Sequence, residues 1–225
     1  MNIVIVGLGG VGSILVERIC RYINYSVDDK ELNVLLVDGD VYEIKNYERQ
    51  DFTRVGKKAD IQADDLEIKF ENIAFDVFES YINEDNVKDV IKSGDIVFIC
   101  VDNHKSRMVI NNYCKQLDDV TIISGGNELT DGNAQLYVRK GGVDLSPDLC
   151  AYHPEIANPD DKLPDEMSCE ELSKSEPQLY FTNLGVATLM CWLFYNSVIG
   201  GQHDRSEVYF DIITMTADAK IRPVR

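Results

Sequence analysis

Two carboxylates, two carboxamides and a guanidinium crowd into one short stretch of this chain: Asp38 and Asp40 in Val37-Asp38-Gly39-Asp40, then Asn46, Arg49 and Gln50. Ahead of them lies the glycine loop Gly7-Leu8-Gly9-Gly10-Val11-Gly12-Ser13, directly after the apolar run Ile3-Val4-Ile5-Val6. Glycines at such a strand end let backbone N–H groups and a helix N-terminus come close to a phosphate or a ribose. By itself the loop says only that a nucleotide binds, and Asp38 would serve NAD as well as ATP. A dinucleotide site needs one acid after its second strand, for a ribose hydroxyl. The further acid, amides and guanidinium here suit a triphosphate.

Two more polar runs follow in order. Gly56-Lys57-Lys58-Ala59 supplies cations after a turn, and Cys100-Val101-Asp102-Asn103 leads on to Arg107, Asn111 and Asn112. Asp102 then sits at a strand's carboxyl end, where ligands bind in parallel sheets. Taken together, the four motifs resemble those of the ThiF/MoeB family, the adenylating enzymes related to ubiquitin-activating enzymes. The resemblance implies adenylation of a carboxylate, which attacks the α-phosphate of ATP and expels pyrophosphate. It also implies that Asp38 holds ribose hydroxyls, that Asn46, Arg49, Gln50 and Lys58 contact the phosphates, and that Asp102 carries Mg²⁺. Gly7, Gly9, Gly10, Gly12, Asp40 and Asn103 complete the implied nucleotide-binding set, and Arg49, Lys58, Asp102 and Cys169 are the candidate catalytic residues. Such a site works by positioning and electrostatics, with little covalent work for the protein. The implied cofactors are ATP and Mg²⁺. The implied partner is a small ubiquitin-like or sulfur-carrier protein ending in glycine, and the implied assembly is a homodimer.

Several residues depart from the family pattern. The family usually has one more residue between the glycine and lysine of the third motif, so Lys58, which precedes Ala59 as the family lysine does, is preferred to Lys57. No Cys-x-x-Cys occurs, and Cys150 with His153 is an isolated pair, so the family's structural zinc is not expected. Relatives commonly carry an N-terminal helix that sends an arginine into the neighbouring subunit's ATP site. Here that arginine is expected to be absent or supplied by a partner. Cys169, in Met167-Ser168-Cys169-Glu170-Glu171-Leu172, lies in a stretch similar to the ThiF proteins of mobile-element PRTRC systems. It either takes the acyl group after adenylation or is an inert thiol, since only a lowered pKa makes a cysteine reactive. His104, His153 and His203 are scattered, with no partner at catalytic spacing.

The elements that must position these groups alternate as strand and helix, which implies a parallel sheet with crossover helices. After the first strand, Ile14, Leu15, Ile19, Tyr22 and Ile23 form a helix stripe, and Asn33 to Val37 is the second strand. A helix from Lys58 to Ile68, a strand from Ile73 to Val77, a helix from Glu84 to Ile91 and a strand from Ile96 to Val101 follow. Arg107 to Leu117 is predicted helical and Val120 to Ser124 a strand ended by Gly125-Gly126. Gln135 to Arg139 and Val208 to Ile213 alternate as antiparallel or edge strands do, with an apolar helix from Leu184 to Tyr195 between them. The expected fold is α/β, a Rossmann-like doubly wound, mostly parallel sheet with antiparallel C-terminal strands and a long crossover loop. One adenylation domain is expected over 1–225: a nucleotide-binding part over 1–140, a long acidic loop over 141–178 and a C-terminal helix and strand over 179–225. A loop that long inside a compact domain is functional or disordered.

Composition narrows the classes further. A chain of 225 residues with six cysteines in mostly apolar patterns, and no signal segment ahead of its first strand, is expected in a reducing cytoplasm. No apolar run approaches the length of a membrane span. A net charge of −17 argues against nucleic-acid binding, which depends on Lys and Arg contacts to phosphate. That charge either selects neutral or basic partners or simply keeps the protein soluble. An NAD-dependent oxidoreductase and a non-catalytic binding subunit remain the other readings.

Overall fold

In a computed structural model of the protein, the described residues are 1–26, 31–47, 50, 52–167 and 178–224. Strand β1 (Asn2–Val6) lies at the centre of the main sheet. Ile3 and Ile5 face one hydrophobic cluster and Val4 and Val6 the other. Side chains alternate across a strand, so β1 is apolar throughout because both faces are covered.

The first face is covered by α1 (Gly10–Ser26), α2 (Lys58–Glu67) and, further along the chain, the helix Tyr180–Phe194. On one side of β1 lie β2 (Leu32–Val37) and, after the short β3 (Val41–Tyr42) and β4 (Gly56–Lys57), the edge strand β5 (Ile73–Phe78). The chain then passes through α3 (Val87–Val90) to β6 (Ile96–Ile99), which pairs with the other side of β1. The strand order thus reverses at β1, and in such sheets the crevice at the carboxyl ends there is where ligands bind. Helix α4 (His104–Cys114) covers the second face and leads to β7 (Val120–Asn127), parallel to β6.

From β7 the sheet becomes antiparallel through β8 (Asp131–Lys140), the short β9 (Val143–Asp144), β10 (Arg205–Asp211) and β11 (Thr216–Ile221). Gly125-Gly126 does not end β7, as the sequence led us to expect; the strand runs on to Asn127 and turns back into β8. The reason is packing: a Cβ on Gly125 would lie 2.4 Å from the Met190 sulfur and 2.6 Å from Val186, so glycine lets the long helix settle on the sheet.

The acidic stretch is also more ordered than expected. Between 141 and 167 it contains β9, helix α5 (Pro154–Ala157) and a single 3₁₀ turn, Pro164–Glu166, and it buries Leu149, Ile156 and Leu163 against α4 and the sheet. Asn111 of α4 pins it, accepting from the Leu149 N–H at 2.9 Å while donating to Asp148. Helix α4 starts three residues earlier than its apolar pattern suggested, and α3 is a single turn. Helix α6 (Tyr180–Phe194) is apolar all round. It buries Val186, Met190, Leu193 and Phe194 and leaves Phe181 (66%), Trp192 (58%) and, just beyond its end, Tyr195 (59%) exposed.

His153 helps join the covering segment to the C-terminal strands. His153 contacts the buried Glu207 of β10 through Nε2 and Glu155 through Nδ1 at 2.7 Å, and Glu207 also accepts from Arg222 Nε at 2.9 Å. Burial pulls the His153 pKa down, but the two carboxylates outweigh it and hold it above its ordinary value. A raised folded-state pKa gives stability that is complete below about pH 6.5 and lost as pH rises through the folded value. The urea midpoint should therefore fall as the pH rises above about 6.5, and His153→Gln should flatten that part of the profile. An identical slope in the variant would show that the pair contributes nothing.

Candidate nucleotide site

Asp38, at the carboxyl end of β2, ties two loops together. Its Oδ2 accepts from the Leu8 N–H at 2.6 Å and its Oδ1 from the Asp40 N–H at 2.8 Å. Gly7, with φ of +90°, turns the first loop so that its own N–H donates to the Val37 carbonyl at 2.8 Å. A side chain at Gly7 would be strained in that left-handed region. Gly9 and Gly10 open α1, whose first internal bond runs from Ser13 N to Gly9 O at 3.0 Å. The amides of Gly10, Val11 and Gly12 precede that bond and, with the helix dipole, present positive charge to the crevice. Helix α4 offers no such end: Asn103 accepts from Ser106 N, and Asp161 accepts from His104 N and Lys105 N at 2.6 and 2.9 Å.

Lys58 opens α2 with its backbone N–H on the Asp40 carbonyl at 3.1 Å. Its Nζ donates to Asp40 Oδ2 at 3.0 Å and lies 4.0 Å from Asp38 Oδ2. Lys58 is 6% exposed, whereas Lys57 is exposed on β4, so the structure brings Lys58 to the acids. Burial pushes the Asp38 carboxyl above its usual range, and Lys58 and the two N–H groups only partly offset it. Burial acts on Asp40 too, but Lys58 and a hydrogen bond from Tyr81 outweigh it and hold Asp40 low.

Asn46 and Gln50 are buried on the excursion between β3 and β4. Asn46 is engaged, its Oδ1 accepting from the Glu43 N–H at 2.9 Å in a 3₁₀ turn, Ile44–Asn46. Gln50 Oε1 has no partner among the described residues, a buried polar atom that a ligand would satisfy. Tyr42 supports the excursion from below, its hydroxyl donating to the Leu8 carbonyl at 2.9 Å and its ring stacked on Phe52 at 4.3 Å. Asp102 is exposed beyond β6, within electrostatic reach of Tyr81 and Arg107. Arg49 and Cys169 lie outside the described residues.

Arg107, quoted above only as part of a motif, is buried; its Nη2 donates to the Val101 and Gly125 carbonyls at 2.9 and 2.8 Å. No carboxylate pairs with it among the described residues, and burial pulls its pKa down against the pull of Asp102. Tyr81 and Asp161 also belong to the site and went unnoticed in the sequence, since each stands alone in a loop with no spaced partner. None of the described cysteines is activated: burial pushes Cys114 up to about 12 and Cys150 and Cys191 to about 11, and Cys20 and Cys100 are raised as well. Among the described residues no group of three or more His, Cys, Asp or Glu could hold a metal, and no helix is long and apolar enough to cross a membrane.

The start of α1, a buried acid at the end of β2 and a lysine held by acids thus meet at the carboxyl ends of the strands of a Rossmann-like sheet. The ThiF family profile matches residues 1–217, and the chain belongs to that family. It is 31% identical over 154 residues to ubiquitin-like modifier-activating enzyme 5 of Oryza sativa subsp. japonica, covering 61% of this chain and 35% of that protein. The enzyme of the same name from Xenopus laevis is 31% identical over 148 residues, covering 60% and 36%. The chain thus spans about a third of the length of these curated relatives. The solved structure of E. coli MccB with ATP matches with a TM-score of 0.75 at 16% identity, over 98% of this chain and 63% of that one. PaaA matches with a TM-score of 0.72 at 15% identity, over 98% and 72%. These structural likenesses are ones of fold.

Asp38→Asn keeps one acceptor oxygen and turns an amide donor toward either the Leu8 or the Asp40 N–H, so Tm should fall by about 4 °C or more and nucleotide affinity by about tenfold or more. An unchanged Tm would show that these two bonds do not support the fold.

Proposed function

We propose that this chain adenylates the C-terminal carboxylate of a small protein, one with a ubiquitin-like fold ending in glycine, at the expense of ATP. The observation that carries this reading is Lys58 held at 3.0 Å from Asp40 and 4.0 Å from Asp38. That pair of acids lies beside the open N-terminus of α1. A ribose acid alone would serve a dinucleotide; a buried cation beside the loop suits added phosphate charge. Membership of the ThiF family and similarity to ubiquitin-like modifier-activating enzymes support the same chemistry.

In the proposed reaction a carboxylate oxygen bonds to the α-phosphorus as the bond to the pyrophosphate oxygen breaks, giving an acyl-adenylate and pyrophosphate. Asp38 would take ribose hydroxyls, and the α1 amides, Lys58, Gln50 and Arg49 would neutralise phosphate charge where it develops. Asp102 would hold Mg²⁺, a hard cation satisfied by one carboxylate with phosphate oxygens and water, which would stabilise the departing pyrophosphate. No protein nucleophile is needed for this step, in keeping with the protonated state of the described thiols.

ATP with Mg²⁺ should raise Tm and NAD should not, and Lys58→Ala should slow ATP–pyrophosphate exchange by on the order of 10²–10³ while Lys57→Ala changes it little. Stabilisation by NAD but not ATP would overturn the proposal, and ATP binding without exchange would make the chain a binding subunit.

The chain is also proposed to form a two-fold dimer, the commonest closed assembly. Phe181, Trp192 and Tyr195 give the outward side of α6 an aromatic stripe that its own sheet leaves uncovered. Light scattering at micromolar concentration should give twice the chain mass, and Trp192→Glu should give monomers. A parent protein that is monomeric without a partner subunit would rule the dimer out.

A further inference from the structure

Tyr81 follows β5 and bends over the carboxyl end of β2. Its ring lies flat on Gly39, where a Cβ would come within 3.0 Å of three ring carbons. Its carbonyl accepts from Asn86 Nδ2 at 2.8 Å, and Asn86 N is held in turn by Asn83, so the loop that carries it is built rather than loose. The Tyr81 hydroxyl donates to Asp40 Oδ1, while Lys58 Nζ donates to Oδ2 of the same carboxylate. Asp40 therefore has one cationic and one neutral donor, on opposite oxygens.

The Lys58 ammonium, bonded to Asp40 at 3.0 Å, would have to share its charge with an incoming phosphate. As it turns toward a triphosphate, Asp40 would be left as an ionised group beside Asp38 and the incoming phosphates, and like charges at such range repel. A second donor removes part of that cost. We infer that Tyr81 is a positioning residue that keeps Asp40 compensated when Lys58 transfers to the β and γ phosphates, and so sets the affinity for the triphosphate. This inference rests on the proposed use of ATP.

The test is calorimetric binding of Mg·ATP and of AMP to the full chain, for the parent, Tyr81→Phe, Asp40→Asn and the double variant. Tyr81→Phe keeps the ring on Gly39 and removes only the hydroxyl, and an unchanged Tm verifies the fold. The substitution should weaken Mg·ATP by about tenfold, the scale of one hydrogen bond to a charged group. AMP, which lacks the β and γ phosphates, should bind Tyr81→Phe as tightly as it binds the parent. In the Asp40→Asn background, with no charge left to compensate, Tyr81→Phe should have no further effect. An unchanged affinity for Mg·ATP, an equal loss for AMP, or the same loss with and without Asp40 would each overturn the inference. A parent protein that binds no ATP would fail in its first titration and overturn the adenylation reading itself, and this inference with it.

Discussion

A buried carboxylate at the end of β2 is the constraint on which the crevice depends. Asp38 is 8% exposed and accepts N–H bonds from both the glycine loop and its own loop. Charge-assisted bonds of this kind contribute about 1.5–3 kcal/mol each, yet desolvation of the carboxylate still dominates, as the raised pKa shows. The two loops are therefore held by a group that would be better off neutral or closer to cations. Lys58 at 4.0 Å supplies part of the compensation and thereby fixes the start of α2 as well. The turn at Gly7, the β3–β4 excursion and α2 are arranged around one poorly solvated charge.

The balance of charge at the crevice has a consequence for its ligand. Asp38, Asp40 and Asp102 stand against Lys58 and Arg107 among the described residues, so acids outnumber bases there, as they do over a chain of net charge −17. A bare polyphosphate would meet repulsion. One that arrives with its own divalent cation would not, and an exposed lone carboxylate such as Asp102 is what such a cation needs from a protein.

Legibility in the sequence followed coverage. β1, β2, β6 and β7 are covered on both faces, so they read as continuous apolar runs, and α1 shows its stripe because only one side meets the sheet. β11 is exposed at every residue and held by backbone pairing to β10, so no apolar pattern marks it. Helix α5 is one turn anchored by Ile156 and by the Asn111 contacts around it, tertiary features with no local signature. The site divided in the same way. Asp38, Asp40 and Lys58 could be found because they sit at fixed spacings after strands, whereas Tyr81 reaches Asp40 from a loop 41 positions away and only the fold brings it there.

Arg107 shows why the looser second half of the chain still belongs to the site. A guanidinium buried with no carboxylate among the described residues is costly, and it is compensated here by carbonyls from two strands, Val101 just after β6 and Gly125 in β7. Asp102 follows directly on Val101, and Gly125 is the residue whose missing side chain seats α6 on the sheet. Arg107 thus adds a side-chain tie between the end of β6, next to Asp102, and the part of β7 that pairs with β8, on top of the backbone pairing that already joins these strands. A shift of α6 against β7 would move Gly125, then Arg107, then the peptide that carries Asp102. Acids and the α1 dipole set the charge of this crevice, and the buried Arg107 couples its floor to the strand on which α6 rests.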